Sequence, residues 1–143
     1  MNRLNIVTLG SRNLESSKKF FHELFGWKPT SKESDEIAFY DMGGWMVALF
    51  PRDHLAKDVT VSSDGHGFPG ITLAHNVKSK DEVAVKLARA EKLGAKIIKP
   101  AQDVFWGGHS GYFSDLDGHY WEVAWNPFTP ILPDGTLDIK SDT

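Results

Sequence analysis

The stretch Gly107–Asn126, GGHSGYFSDLDGHYWEVAWN, decides the fold of this chain. It predicts two strands, Ser110–Phe113 and Tyr120–Trp125, joined by a tight turn at Asp115–Gly118. Asp and Gly are typical of such a turn, because some of its positions need a positive φ and its side chains bond their own backbone. Glu122 lies in the middle of the most apolar strand-like run of the C-terminal half. Its carboxylate therefore either faces solvent or belongs to a site.

The composition is that of an ordinary globular protein. The chain has 143 residues, of which 41% are hydrophobic and 24% charged, and this length favours one domain, or two small halves that share a core. The net charge of -3 gives no reason to expect nucleic acid or an anionic membrane as a partner. The sequence has no cysteine, which excludes disulfides, thiolate metal sites and cysteine nucleophiles. It also lacks a signal peptide and an apolar run of the ~20 residues that a membrane span needs, so we expect a cytoplasmic protein.

The first half of the chain predicts one module of alternating strand and helix. Asn5–Gly10 is apolar and β-branched, which favours a strand. Asn13 is typical of a helix N-cap, and Gly26 is typical of the residue that follows a helix. After a short extended segment, two further strands are predicted at Glu36–Met42 and Trp45–Phe50, separated by two glycines.

The second half repeats this pattern after a polar linker with a helical turn at Asp53–Lys57. Val7-Thr8-Leu9 is echoed by Ile71-Thr72-Leu73, and an internal repeat of this kind predicts two similar modules. In the second module we expect a strand at Ile71–Val77, a helix that ends at Gly94, a strand at Lys96–Lys99 and a loop at Pro100–Gly108. The whole chain, 1–143, is then one domain built of module one (4–50), a linker (51–69), module two (70–126) and an extended, proline-containing tail (127–143).

A duplicated βαβββ module resembles the vicinal oxygen chelate superfamily, which includes glyoxalase I, extradiol dioxygenases and the fosfomycin- and bleomycin-resistance proteins. The most specific match is YFSDLDGHYWEV at Tyr112–Val123, which is similar to the superfamily's DPDGxxxE hairpin, with Leu116 in place of proline. The resemblance covers Leu4–Asn126. It implies an α+β fold in which two tandem modules form curved mixed sheets around a shared cavity, and it implies a homodimer.

Metal-dependent members of that superfamily place one ligand on the first and one on the last strand of each module. The motif match puts Glu122 at the last-strand position of module two, and its repeat counterpart is Ala48. The first-strand positions fall at Thr72 in module two and at Ile6, or at Thr8 with a shift of one pair, in module one. None of these side chains except Glu122 is a usual ligand of a divalent metal. We therefore expect no complete metal site and no cofactor, although a histidine that joins Glu122 stays open as an alternative.

Alternation along the strands predicts which side chains line the cavity beside Glu122. These are mostly apolar and aromatic, with a few polar groups, as is usual for a small-molecule site. The predicted ligand-binding residues are Thr8, Phe39, Ala48, Phe50, Thr72, Ala74, Trp106, Ser110, Tyr112 and Glu122. A structural role for Glu122, bonded to Thr8, Thr72 or Tyr112, is the alternative, because buried polar groups must be paired.

Four hypotheses of function follow. The favoured one is a metal-independent protein that binds a small molecule, of the sequestering or resistance type, with no nucleic-acid or membrane partner. The second is a metal-free lyase or isomerase in which Glu122 acts as the base or acid on a small carbonyl or aromatic substrate, helped by Tyr112 and His109. The third is a metalloenzyme of the glyoxalase or dioxygenase type that uses Glu122 as a ligand. The fourth is an interaction module whose cavity is filled.

Overall fold

The computed structural model describes residues 2–30 and 34–139. By its contacts the chain divides into two compact units, Met1–Pro69 and Gly70–Thr143, called here the first and second units. No helix among the described residues is long and apolar enough to cross a membrane. Each unit contains one mixed sheet, of three strands in the first and four in the second. The predicted α+β class with two mixed sheets is therefore confirmed.

The described residues of the first unit, 2–30 and 34–69, form three strands and two helices. In chain order they are β1 (Ile6–Ser11), α1 (Leu14–Phe25), β2 (Ala38–Asp41), β3 (Met46–Pro51) and α2 (Arg52–Val59). The strand order in the sheet is β1-β3-β2, with β1 parallel and β2 antiparallel to the central strand β3. The predicted caps of α1 are confirmed, since Asn13 Oδ1 accepts a bond of 3.0 Å from the Ser16 amide and Gly26 has a φ of 73°.

Two details of the first unit differ from expectation. The helical turn expected at Asp53–Lys57 is a full helix, α2, of eight residues. The extended segment after α1 forms no strand over the described residues 26–30 and 34–37, although the Thr30 amide donates to Phe39 O at 2.8 Å and Ser34 forms an isolated bridge with Ile37. Pro29 precedes that amide and has no N–H to give, so it interrupts a regular ladder.

The second unit carries the hairpin at its centre. Its elements are β4 (Leu73–Asn76), α3 (Asp81–Lys92), β5 (Lys96–Asp103), β6 (His109–Ser114) and β7 (Tyr120–Trp125). The strand order is β4-β7-β6-β5, with β4 parallel to β7 and the other neighbours antiparallel. In the tail, Ile131 and Leu137 form an isolated bridge, so the segment after Asn126 is not extended throughout.

Asp115 fixes the turn between β6 and β7. Its Oδ1 accepts bonds from the amides of Asp117 (2.9 Å) and His119 (3.0 Å), and its Oδ2 accepts one of 3.0 Å from Trp121 Nε1. The residue is only 6% exposed, and burial raises the pKa of its carboxyl. The three donors replace the hydrogen bonds to water that the carboxylate loses on burial. An aspartate is therefore tolerated at this buried position of the turn. The turn therefore sets the register of the hairpin, with Tyr112 opposite Glu122.

The prediction of a loop at Pro100–Gly108 is wrong for its first half, because β5 continues to Asp103. The pairing of β5 with β6 shifts register twice, between Ile97 and Lys99 and between Lys99 and Gln102. Such bulges let a strand continue past a proline that cannot donate to the ladder.

Helix α3 covers one face of the second sheet. The side chains buried there come from the helix and from alternate positions of β6 and β7, and they include Val83, Leu87, Ala90, Phe113, Trp121 and Val123. Gly111 lies on the same face of β6 as Phe113, and a Cβ added to it meets Leu87 Cδ1 at 2.5 Å. Glu122, one residue from Trp121 and Val123, therefore lies on the opposite face.

We expect Gly111→Ala to destabilise the second unit. The new methyl group lies 2.8 Å from Lys99 O and 3.1 Å from Ala101 N, so the backbone of the bulge has to move as well as Leu87. The expected cost in the free energy of unfolding is about 1–3 kcal/mol, measured by urea denaturation. Adding Leu87→Ala should relieve only part of this cost, because the backbone contacts remain. A Gly111→Ala protein as stable as wild type contradicts the close packing described here.

His75 gives the protein a pH-dependent stability. It lies on β4 in register with Val123, so it faces α3, and burial together with the positive charge of Lys86 lowers its pKa from 6.5 to about 4. A lowered pKa means that the folded state binds this proton less well than the unfolded chain. The stabilisation is therefore complete above pH 6.5 and is lost as the pH falls towards 4.

Between pH 7.5 and pH 5.0 the loss that this histidine causes is about 2 kcal/mol. We expect His75→Gln to remove that part of the pH dependence, measured by urea denaturation at both pH values. Equal losses of stability in wild type and variant contradict the assignment.

Candidate functional site

Four side chains form one row across the face of the second sheet that points away from α3. Glu122 on β7 is in register with Ala74 on β4 and with Tyr112 on β6, and Tyr112 is in register with Lys99 on β5. Neighbours in such a row have Cβ atoms about 4.5–5.5 Å apart, so their side chains interact. The sheet thus presents a methyl group, a carboxylate, a phenol and an ammonium group in order.

Tyr112 and Glu122 form a hydrogen-bonded pair at the centre of this row. Burial, the negative charge of Glu122 and the hydrogen bond to its carboxylate all raise the pKa of the Tyr112 hydroxyl. A tyrosine is protonated at neutral pH even without this shift, so the phenol donates a hydrogen bond to the carboxylate and keeps its proton. Both side chains are half-buried, so a molecule that enters from solvent meets them directly.

A cavity of about 380 Å³ lies over this pair, within the second unit. Its walls come from the end of β5, the loop to β6, and the strands β6 and β7. The lining residues are Lys99, Gln102, Asp103, Val104, Phe105, Trp106, Ser110, Tyr112 and Glu122. The structure therefore brings together four of the predicted residues, namely Trp106, Ser110, Tyr112 and Glu122.

Trp106 is held in place by a glycine. A Cβ added to Gly108 lies 2.0 Å from two atoms of the indole ring and 2.8 Å from Trp125 O. The ring therefore packs directly on the backbone of Gly108, which is possible only without a side chain. Phe105 beside it is fully exposed, so this loop presents two aromatic rings at the cavity.

His109 does not line the cavity with Glu122. It is in register with Trp125 and adjacent to Ser110, which puts it on the face covered by α3. Its Nδ1 is 2.8 Å from Asp103 Oδ1, and Lys80 Nζ is 2.8 Å from the same oxygen. The hydrogen bond from Lys80, followed by that from His109, lowers the pKa of Asp103. His109 thus contacts Asp103 at the rim of the cavity. Its predicted role as a proton donor to a ligand has no direct geometric support.

The predicted residues of the first unit share one face of its sheet. Thr8 and Phe39 are both in register with Ala48, and Phe50 is in register with Gly10. Thr8 is exposed, Phe39 and Phe50 are half-buried and Ala48 is 1% exposed. Their contribution to a ligand site shared with the second unit stays a prediction.

The donor groups at the expected metal positions do not fit a divalent ion. In the second unit Glu122 is in register with Ala74, which corrects the repeat alignment that put the first-strand position at Thr72. In the first unit the equivalent pair is Thr8 and Ala48, as expected for a register shift of one pair. Throughout residues 2–30 and 34–139, no group of three or more His, Asp or Glu side chains is arranged to hold a metal. A single carboxylate beside alanine supplies too few ligands for the ions used by metal-dependent members.

Sequence reasoning missed five of the cavity residues, Lys99, Gln102, Asp103, Val104 and Phe105. Ile97 is in register with Phe113 on the face towards α3, and simple alternation puts Lys99 on that face too. The bulge between them reverses the alternation, so Lys99 lines the cavity instead. The only signal in the sequence is Pro100, which marks an irregularity without giving its direction.

Comparison with known proteins agrees with this architecture. The model of the Glyoxalase/Bleomycin resistance protein/Dioxygenase superfamily matches residues 3–123. A crystal structure described as a glyoxalase-related enzyme from Fulvimarina pelagi is 37% identical, covers 97% of this chain and 99% of its own, and has a TM-score of 0.88. Comparison with curated protein sequences finds no significant match.

More distant structures share the fold alone. A lactoylglutathione lyase from Agrobacterium tumefaciens is 22% identical, with a TM-score of 0.64 over 88% of this chain and 95% of its own. A glyoxalase/bleomycin resistance protein/dioxygenase family enzyme from Burkholderia phytofirmans PsJN is 17% identical, with a TM-score of 0.76 over 85% of this chain and 96% of its own. The paired strands, the DLDG hairpin and the family match over most of the sequence lead to one conclusion: this chain belongs to the glyoxalase/bleomycin resistance protein/dioxygenase superfamily.

Proposed function

We propose that this protein binds a small organic molecule in the cavity of the second unit, with a flat apolar part against Trp106 and a hydrogen-bond donor at Glu122. The observation that carries the proposal is the Tyr112–Glu122 pair, half-buried at the floor of a cavity of about 380 Å³. Small-molecule sites have volumes of about 300–1,000 Å³ and combine apolar walls with a few polar groups. Two aromatic rings supply the apolar part of this cavity, and six of its nine lining residues are polar or charged, so it is more polar than the mostly apolar site that the sequence predicted.

The carboxylate of Glu122 has capacity left for a ligand. An ionised carboxylate has about four acceptor positions on its two oxygens. Tyr112 uses one of them, and the neighbouring side chain on the other strand is the methyl group of Ala74, which donates nothing. A ligand with an N–H or O–H group can therefore satisfy an oxygen that the protein leaves to solvent.

The expected homodimer and the cytoplasmic location remain proposals. The dimer rests on the family resemblance, and the location rests on the cysteine-free composition, which suits a reducing compartment. The binding proposal depends on neither of them, because all the residues that it uses belong to the second unit of one chain.

The proposal is tested with two probes that differ only in one donor, 2-naphthol and 2-methoxynaphthalene. We expect 2-naphthol to bind about 10-fold more tightly, because a hydrogen bond to a charged acceptor contributes about 1.5–3 kcal/mol. Glu122→Gln should remove most of that difference and leave the affinity for 2-methoxynaphthalene unchanged, measured by isothermal titration calorimetry.

Glu91→Gln is the matched control, since Glu91 is an exposed glutamate on α3 that does not line the cavity. It should bind both probes as wild type does. The proposal fails if neither probe shows saturable binding to wild type, or if Glu122→Gln keeps the full preference for 2-naphthol.

A second candidate function is a metal-free enzyme in which Glu122 acts as a general base. A carboxylate and a phenol side by side supply the two groups that enolisation needs, a proton acceptor and a hydrogen-bond donor for the developing oxyanion. Tyr112 lies opposite Glu122 on the neighbouring strand, and its hydroxyl is protonated at neutral pH, so it is placed to act as the donor. The 37% identity to a structure described as a glyoxalase-related enzyme also favours catalysis.

The step is a proton transfer next to a carbonyl group. Glu122 takes a proton from the carbon α to the carbonyl, the C–H electron pair moves into the new C=C bond, and Tyr112 turns its hydroxyl to the oxygen of the enolate. The protonated Glu122 then returns the proton to the same or a neighbouring carbon. The result is exchange or isomerisation, without an oxidant or a reductant.

We test this with 2-acetonaphthone in D2O, following loss of the methyl proton signal by NMR. If the candidate is right, wild type accelerates exchange, Glu122→Gln lowers the accelerated rate at least 100-fold, and Tyr112→Phe lowers it about 10- to 1,000-fold. Exchange in the presence of wild-type protein that is no faster than in buffer contradicts the enzymatic role and leaves the binding role intact.

A further inference from the structure

We propose that Lys99 forms an anion subsite in the same cavity, so that the natural ligand is a small aromatic monocarboxylate whose opposite end carries the hydrogen-bond donor. This inference rests on the proposed function for the place of the ligand, and it adds the ligand's charge and the arrangement of its polar groups.

The first argument is the geometry of the row. Lys99, Tyr112 and Glu122 occupy registered positions on β5, β6 and β7. With about 4.5–5.5 Å between neighbouring Cβ atoms, the Cβ atoms of Lys99 and Glu122 are about 10 Å apart. The Tyr112 side chain stands between them and bonds Glu122. The cavity therefore has a cation at one end and an acceptor at the other, separated by the width of a fused two-ring compound.

The second argument is the charge that Lys99 leaves uncompensated. Within the described part of the chain, its ammonium group makes no ion pair and no side-chain hydrogen bond. Asp103 is the other carboxylate besides Glu122 among the lining residues, and Lys80 and His109 both contact it at 2.8 Å. Its charge is thus already balanced on the rim, so it does not neutralise Lys99.

The third argument is the local distortion that brings Lys99 to the cavity. The two register shifts of β5 flank Lys99, and they interrupt the ladder of backbone bonds there. Gly111 on β6 makes the distortion possible, because a Cβ added to it lies 2.8 Å from Lys99 O and 3.1 Å from Ala101 N. Without this bulge, the lysine lies on the apolar face beneath α3. The bulge therefore places the ammonium group of Lys99 at the cavity and not in the apolar core.

The charge count selects the kind of anion. Lys99 supplies one positive charge, and Glu122 lies in the same cavity with a negative one. A monocarboxylate balances Lys99 alone, whereas a phosphate monoester carries nearly two negative charges at neutral pH and meets repulsion from Glu122. Gln102 and Ser110 pair in the next row of the sheet and supply uncharged polar contacts along the ligand.

The test compares 6-hydroxy-2-naphthoate with 2-naphthol, which has the same rings and hydroxyl group but lacks the carboxylate. We expect wild type to bind the naphthoate about 5- to 10-fold more tightly at low salt, the gain of a partly exposed charge pair. Lys99→Gln should remove this gain and leave the affinity for 2-naphthol unchanged. Lys99→Arg should keep most of it, and 0.5 M NaCl should weaken binding of the naphthoate alone, because salt screens an exposed pair.

Lys96→Gln is the matched control. Lys96 is an exposed lysine on the same strand, in register with Ser114, and it does not line the cavity. The variant should keep the full preference for the naphthoate. The proposal is overturned if wild type binds the two probes equally, or if Lys96→Gln lowers the preference as much as Lys99→Gln does.

The outcomes separate this inference from the function on which it rests. If 2-naphthol binds in a manner sensitive to Glu122 but the added carboxylate contributes nothing, the anion subsite is wrong and the binding function stands. If neither probe binds saturably, both proposals are overturned. Far-UV circular dichroism of the Lys99 variants establishes that any loss of binding comes from the side chain and not from unfolding.

Discussion

The three hydrogen bonds to the buried carboxylate of Asp115 constrain the rest of the second unit. They tie the turn to Trp121 on the following strand and thereby set how β6 and β7 pair. A slip of one residue in a hairpin moves every side chain of a strand to the other face of the sheet. With this register, Phe113 and Trp121 lie under α3 and Tyr112 and Glu122 lie on the open face. The turn therefore separates the core from the candidate site.

The environment of Tyr112 and Glu122 follows from the separation of the two faces of the sheet. Tyr112 and Glu122 lie between a packed, aromatic face and a cavity open to solvent, so they are dry enough to influence one another and still accessible. Burial and the negative charge of Glu122 raise the pKa of the Tyr112 phenol. The pair can hold a ligand or move a proton, and the superfamily to which the chain belongs does not decide between these uses, since one fold serves many chemistries.

The expected metal positions differ from the superfamily's pattern in their side chains. Registered pairs on parallel strands remain at the places where metal-dependent relatives carry ligands, but they hold Thr8 with Ala48 and Ala74 with Glu122. The backbone arrangement is thus kept while the donor set is not. The second unit has instead a bulge in β5 that adds Lys99 to the residues lining the cavity. In the proposed function, the recognition of a ligand depends on hydrogen bonds and charge.

The sequence by itself determined the two-fold repeat, the α+β class, the hairpin and the shared face of Tyr112 and Glu122. Those features follow from period-two alternation, turn residues and a motif, all of which are local. Only the tertiary structure decided that β5 passes beyond Pro100, that Lys99 faces the cavity and that His109 does not. The reason is that a bulge reverses alternation, and its position depends on space beside Gly111 and Leu87 from other elements of the fold.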